Sequence, residues 1–144
     1  MQNWLIYGII ASFCFALNTF IYKVAVSKGN GLNPYLATLS VGIGVFLFFA
    51  IVYFVKLPSF TSNWTGLTMA VLAGVLWALG FFMVSLAIAN KGNITQLAPI
   101  YNTNTLIVVL LGIIFLKEIP SLTGIIKIIA GAILIIIGSI LVVI

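Results

Sequence analysis

Charge is what this sequence has least of. Its 144 residues include one acid, Glu118, and the six basic residues are all lysines: Lys23, Lys28, Lys56, Lys91, Lys117 and Lys127. A soluble domain carries about 25% charged residues, whereas here they make up 5%. A water-facing surface cannot be built from that pool, so the medium around most of the chain is lipid. Histidine is absent, and Cys14 is the one cysteine. An internal disulfide is excluded, and so are a His/Cys metal set and a general acid/base pair, which leaves no catalytic residues, no cofactor and no enzyme reading. The lysines stand singly rather than in a basic stripe, so the net charge of +5 is not a nucleic-acid footprint.

What the sequence does have is long apolar runs. A helix needs about 20 apolar residues to cross the hydrocarbon core, and five stretches qualify, at about 3–27, 34–55, 63–90, 93–116 and 121–144. Backbone groups left unpaired in lipid cost several kcal/mol each, so spanning segments are helices or closed barrels. Unbroken runs without alternation exclude the barrel. The expected fold is an all-α membrane protein: one domain over 1–144, a bundle of five transmembrane helices, multi-pass in the cell membrane. The first run is too long for a signal-peptide core and reads as a retained helix.

Local signals mark the span ends. Lys28-Gly29-Asn30-Gly31 closes span 1 with a cation and turn glycines. Asn33 caps span 2, with Pro34 at the first helical position. Asn63 opens span 3, and Lys91-Gly92 ends it. Asn93 with Gln96 three residues later forms a variant capping box for span 4. Lys117-Glu118-Ile119-Pro120 breaks the chain, and Ser121 caps span 5. Trp4, Tyr35, Tyr53 and Trp64 near span ends read as interface anchors.

Five spans place Lys56, Lys117 and Lys127 on one side of the membrane and Lys23, Lys28 and Lys91 on the other. Orientation normally follows a Lys/Arg excess on the cytoplasmic side, and these two groups balance. One reading is a topology set by weaker cues such as the first helix. The sharper one is dual topology, with copies inserted both ways and paired antiparallel. A homodimer of that kind contains the inverted repeat that many transporters encode in one longer chain.

The polar residues within the spans are concentrated in the fourth. It reads Gln96-Leu97-Ala98-Pro99-Ile100-Tyr101-Asn102-Thr103-Asn104-Thr105. At about 100° per residue, its polar groups cover more than half the helix circumference. Such a segment sits against other helices or a wet cavity rather than lipid. Pro99 deprives the Thr95 carbonyl of its helical donor and favours a kink. Interhelical hydrogen bonding is the plainer use for these groups; their number favours a cavity lining.

Span 1 carries Tyr7, Ala11, Cys14, Asn18 and Ala25 as a stripe with Tyr22 beside it. Span 3 carries Gly66, Ala70, Ala73, Trp77, Gly80 and Val84 on one face with Ser85 adjacent. Gly124, Gly131 and Gly138 recur every seven residues along span 5 and read as a seam for helix packing or dimerisation. Lys23 and Lys127 lie near span ends, where lysines snorkel. Glu118 sits where the span 5 helix dipole favours a carboxylate and within reach of Lys117 or Lys127. Any charge role in the mechanism falls to Lys23, Glu118 and Lys127.

Several short segments, taken in order, resemble the drug/metabolite transporter superfamily, in particular its single five-helix EamA-type domain. They are Phe15-Ala16-Leu17-Asn18 with Lys23, the run Phe81-Phe82-Met83-Val84-Ser85-Leu86-Ala87, Ala98-Pro99, Leu116-Lys117-Glu118 with Gly124, and the spaced Gly131 and Gly138. The resemblance implies a secondary transporter of small organic molecules, with an alternating-access cavity lined by spans 1, 3 and 4. It also implies a dimer, since most members carry two such domains. The four-span small multidrug resistance branch has an essential acid in span 1, where this chain has Cys14 and Asn18 and no acid; the family's frequent span 2 arginine is absent around Leu36 to Ser40. The residues expected to bind substrate are Asn18, Tyr22, Trp77, Ser85, Tyr101, Asn102 and Asn104. The partners expected are a small-molecule substrate, membrane lipid and a second copy. The alternative is a non-transporting membrane subunit or scaffold, or half of a heteromeric lipid/metabolite translocase.

Overall fold

Each polar cap signal meets a run of apolar residues, and helices follow. The computed structural model describes residues 3–27, 31–57, 63–117 and 122–143. Lys28, Glu118, Pro120 and Ser121 lie outside the described residues, as does the side chain of Trp4. The helices are α1 (Asn3–Val26), α2 (Pro34–Lys56), α3 (Trp64–Ala89), α4 (Ile94–Tyr101), α5 (Asn104–Ile114) and α6 (Leu122–Val143). They make five apolar segments long enough to cross a membrane, α4 and α5 together forming the fourth. The protein is an all-α, multi-pass integral membrane protein.

The helix ends follow the chemistry of their caps. Asn33 Oδ1 accepts from the Tyr35 N–H at 2.9 Å, and Pro34 takes the position where a missing N–H costs nothing. Asn63 Oδ1 likewise accepts from the Gly66 N–H at 3.1 Å. Gly31, at φ 57°, makes the left-handed turn after α1, and its N–H reaches the Ser27 carbonyl at 3.0 Å. The capping box expected at Asn93 does not form. Asn93 makes no side-chain cap bond, and the Gln96 side chain instead donates to the Val142 carbonyl on α6 at 3.4 Å.

Hydroxyls within the spans are satisfied by their own helices. Ser12 donates to the Ile9 carbonyl, Ser40 to Leu36 and Thr68 to Thr65, all at 2.8–2.9 Å. This back-bonding removes a lone donor from lipid without a partner helix.

The chain forms two compact units, Met1–Lys91 with α1 to α3 and Gly92–Ile144 with α4 to α6. Among the described residues few positions are buried: Tyr22, Ala37, Ser85 and Ile88 in the first unit, and Ala132 and Ser139 in the second. Large apolar side chains such as Phe13, Phe46, Phe54, Leu134 and Leu141 stand exposed along the helices. Water would not tolerate that surface; acyl chains solvate it.

Candidate functional site

In the first unit the polar centre is built on Tyr22. The Thr38 hydroxyl donates to the Pro34 carbonyl at 2.7 Å, so its proton is committed. The Tyr22 hydroxyl, 3.2 Å from Thr38 Oγ1 and 3.3 Å from the Pro34 carbonyl, is therefore the donor to that pair. One side chain of α1 thus ties down the first turn of α2. Its ring meets Phe81 of α3 edge-on, with centroids 5.3 Å apart and planes at 80°. Phe81 stacks flat on Trp77, at 5.6 Å and 6°.

Trp77, Phe81 and Ser85 follow one another at four-residue spacing, which puts them on one face of α3. Ser85, at 1% exposure, donates to the Phe81 carbonyl at 2.9 Å, and Ile88 is buried beyond it. The packed row of α3 is therefore rotated from the small-residue face expected from sequence. Gly80 has no atom within 4 Å of an added Cβ. Within this unit contact comes from Phe81 and Ile88, because bulky side chains bridge a gap that glycines and alanines leave open.

The expected site residues of this unit occupy distinct settings. Tyr22 and Ser85 are buried with their hydroxyls bonded. Asn18, one turn before Tyr22, is half-buried, as is Lys23. Trp77 is half-exposed, with one face against Phe81. Cys14 is exposed. Tyr35, read as an anchor, stands in the first turn of α2 with its ring 6.1 Å from Phe82, and it lines an open apolar groove of about 420 Å³ with Thr38, Gly42, Ile43 and Phe46.

The second unit contains a broken helix. Pro99 lies inside α4, and the helix stops two residues later, at Tyr101. At the joint the bonding tightens to three-residue steps: Thr103 N–H to Ile100, Thr105 N–H to Asn102 and Leu106 N–H to Thr103, at 3.0–3.2 Å. The hydroxyls of Thr103 and Thr105 also turn back, to Ile100 at 2.7 Å and Asn102 at 2.9 Å. Two threonine side chains and a proline thus divert the local carbonyls from the regular ladder. Asn102 and Asn104 flank the joint, both exposed, and among the described residues of the second unit their side-chain amides have no hydrogen-bond partner. Tyr101 is half-buried.

Helix α6 meets α4 through Ser139, and Ala132 on the same helix is buried as well. Ser139 Oγ lies 2.8 Å from the Pro99 carbonyl oxygen and 2.8 Å from that of Ile135. Gly131 and Gly138 sit one residue away, exposed, with nothing within 4 Å of an added Cβ. Within this unit the packed stripe is the alanine–serine one, and the glycine seam is open. Gly124 is half-buried and Lys127 exposed.

Sequence reasoning missed Thr38 and Ser139, and met Phe81 only as part of the family-like run at the end of span 3. For Ser139 a signal existed: a lone hydroxyl in the last two turns of an otherwise apolar helix. For Thr38 nothing distinguished it from other hydroxyls in the spans.

The fold and its polar centres define a polytopic helical membrane protein whose spans carry amides, hydroxyls and a few single lysines. The model of the EamA-like transporter family matches residues 2–144, and the chain belongs to that family, within the drug/metabolite transporter superfamily. No curated protein and no solved structure matches the chain.

Proposed function

We propose that this protein is a secondary transporter that moves small organic molecules across the membrane by alternating access, without enzymatic activity or a cofactor, and works as an antiparallel homodimer. The observation that carries the reading is the joint in the fourth span. Two asparagine amides, Asn102 and Asn104, stand exposed and unpaired within their unit, in a segment otherwise long and apolar enough to cross the membrane. Unsatisfied polar groups in lipid cost several kcal/mol each. A stable chain therefore sets these amides against something wet or polar, and a substrate-bearing cavity meets that need. Family membership supports the transport of a small molecule.

The proposed roles follow the settings. In the second unit Asn102 and Asn104, with Tyr101 beside them, are the proposed hydrogen-bonding groups for substrate; in the first unit that role falls to Asn18. Trp77 offers its exposed surface as a stacking wall. Tyr22 and Ser85 hold that wall from behind through Phe81. The balanced lysines support insertion in both orientations. Lys23, Glu118 and Lys127 are the groups through which charge enters the mechanism.

The test is reconstitution into lipid vesicles with a panel of metabolites, with and without a pH gradient. Flux is expected for the unsubstituted protein, and Asn102→Leu is expected to abolish it while leaving assembly intact. Unchanged flux in Asn102→Leu would remove the fourth span from the mechanism.

A further inference from the structure

The Ser139 hydroxyl has one proton and two acceptors at the same distance, the Pro99 and Ile135 carbonyls, each at 2.8 Å. The two acceptors differ in kind. Ile135 lies four residues back on α6, so that bond exists whenever α6 is helical. Pro99 belongs to α4, forty residues away, and its carbonyl sits at the break. In an unbroken helix the Thr103 N–H would serve that carbonyl; here it goes to Ile100 instead. Ser139 is thus the donor that reaches an acceptor the broken ladder leaves over.

The geometry points to Ser139 as a positioning residue that latches α4 to α6 at the break and fixes where Asn102 and Asn104 are presented. The latch releases cheaply on one side only. When α4 moves away, the serine proton passes wholly to Ile135, so no buried hydroxyl is stranded on α6. The Pro99 carbonyl loses its donor, and that loss favours re-closure. Its neighbours permit the motion: the residues between α4 and α5 are held by three-residue steps rather than by a continuous ladder. Gln96, whose side chain reaches the Val142 carbonyl at 3.4 Å, is a second and weaker tie one turn earlier.

The sequence supplies a direct readout. Pro99 is the only proline followed by isoleucine. Combining proline labelled with ¹³C at the carbonyl and ¹⁵N-isoleucine in the full chain isolates one carbonyl resonance by magnetic resonance. The expected result is a Pro99 carbonyl at the downfield shift of a hydrogen-bonded acceptor in the unsubstituted protein and in Ser139→Thr, moving upfield in Ser139→Ala. In a Cys14→Ala background, spin labels at positions 100 and 134 should give a narrow distance distribution that broadens in Ser139→Ala, while a pair at 108 and 134 reports α5 against α6 unchanged. A Pro99 carbonyl already at the shift of an unbonded group in the unsubstituted protein overturns the latch, whether or not the alanine variant assembles. An Ala variant with the original carbonyl shift or the original α4–α6 distribution overturns it too. These readouts need no transport, so the latch and the transport reading fail separately.

Discussion

Tyr22 and Phe81 meet edge to face, with ring centroids 5.3 Å apart and planes at 80°. Through that contact α1 grips α3, while the same tyrosine's hydroxyl reaches the first turn of α2. Tyr22→Phe keeps the ring contact and leaves Thr38 still bonded to Pro34, so it should cost about 0.5–1.5 kcal/mol. Tyr22→Ala removes ring and hydroxyl together and should cost about 3–5 kcal/mol. Unfolding in graded mixed micelles measures both. Equal losses for the two variants would show that the hydroxyl, not the ring, carries the contact.

Trp77 stacks on Phe81 with one face and keeps 45% of its surface exposed. If that surface forms a substrate wall, Trp77→Ala should raise KM by up to about tenfold, since an aromatic pair contributes about 0.5–1.5 kcal/mol beyond its area. Trp77→Phe should recover part of it. Vesicle flux at several substrate concentrations separates KM from kcat, and a pure loss of assembled protein would count against the wall.

The open seam on α6 makes a contrasting pair. Gly131→Ala adds a Cβ where the second unit has no atom within 4 Å, and it should be neutral or stabilise the helix by about 0.5–1 kcal/mol. Gly131→Leu should leave the unit folded and weaken self-association, read by cross-linking in native membranes. Ala132→Leu, one residue on, should instead overpack a buried position of the second unit at about 1–3 kcal/mol. Undiminished self-association of Gly131→Leu would place the dimer contact elsewhere.

A reporter fused after Ile144 should be detected on both sides of the membrane if the balanced lysines produce dual insertion. Adding two lysines to the loop between the second and third spans should shift the population to one side and, with it, abolish antiparallel pairing. Signal from a single side in the unsubstituted protein ends the dual-topology reading.

Much of the fold was legible because lipid imposes a one-dimensional rule. Apolar length, Asn33 and Asn63 as caps, and Gly31 at a left-handed turn placed the helices to within a residue or two. Pro99 and its amide-rich neighbours marked the fourth span as unusual, and the break falls there. What the sequence left open was facing. Within each unit the buried positions, Ser85 and Ile88 on α3 and Ala132 and Ser139 on α6, stand beside the small-residue rows, because lipid does not penalise a helix for showing either face. Phe81, Ile88 and Ser139 are chosen by cross-helix partners, and a partner's position is not written in the helix's own periodicity. Gln96 shows the same limit: its spacing from Asn93 suits a cap, yet a carbonyl on α6 takes it.

The division of the fourth span into helices of 8 and 11 residues has a consequence for access. At 1.5 Å per residue these cover about 12 Å and 16 Å, and neither alone traverses a hydrocarbon layer about 30 Å thick. The joint, flanked by the Asn102 and Asn104 amides, is thereby placed well inside the length of the fourth span rather than at either of its ends. On the transport reading proposed above, a solute that uses these amides enters through one vestibule and leaves through the other, and the one that is shut sets the direction.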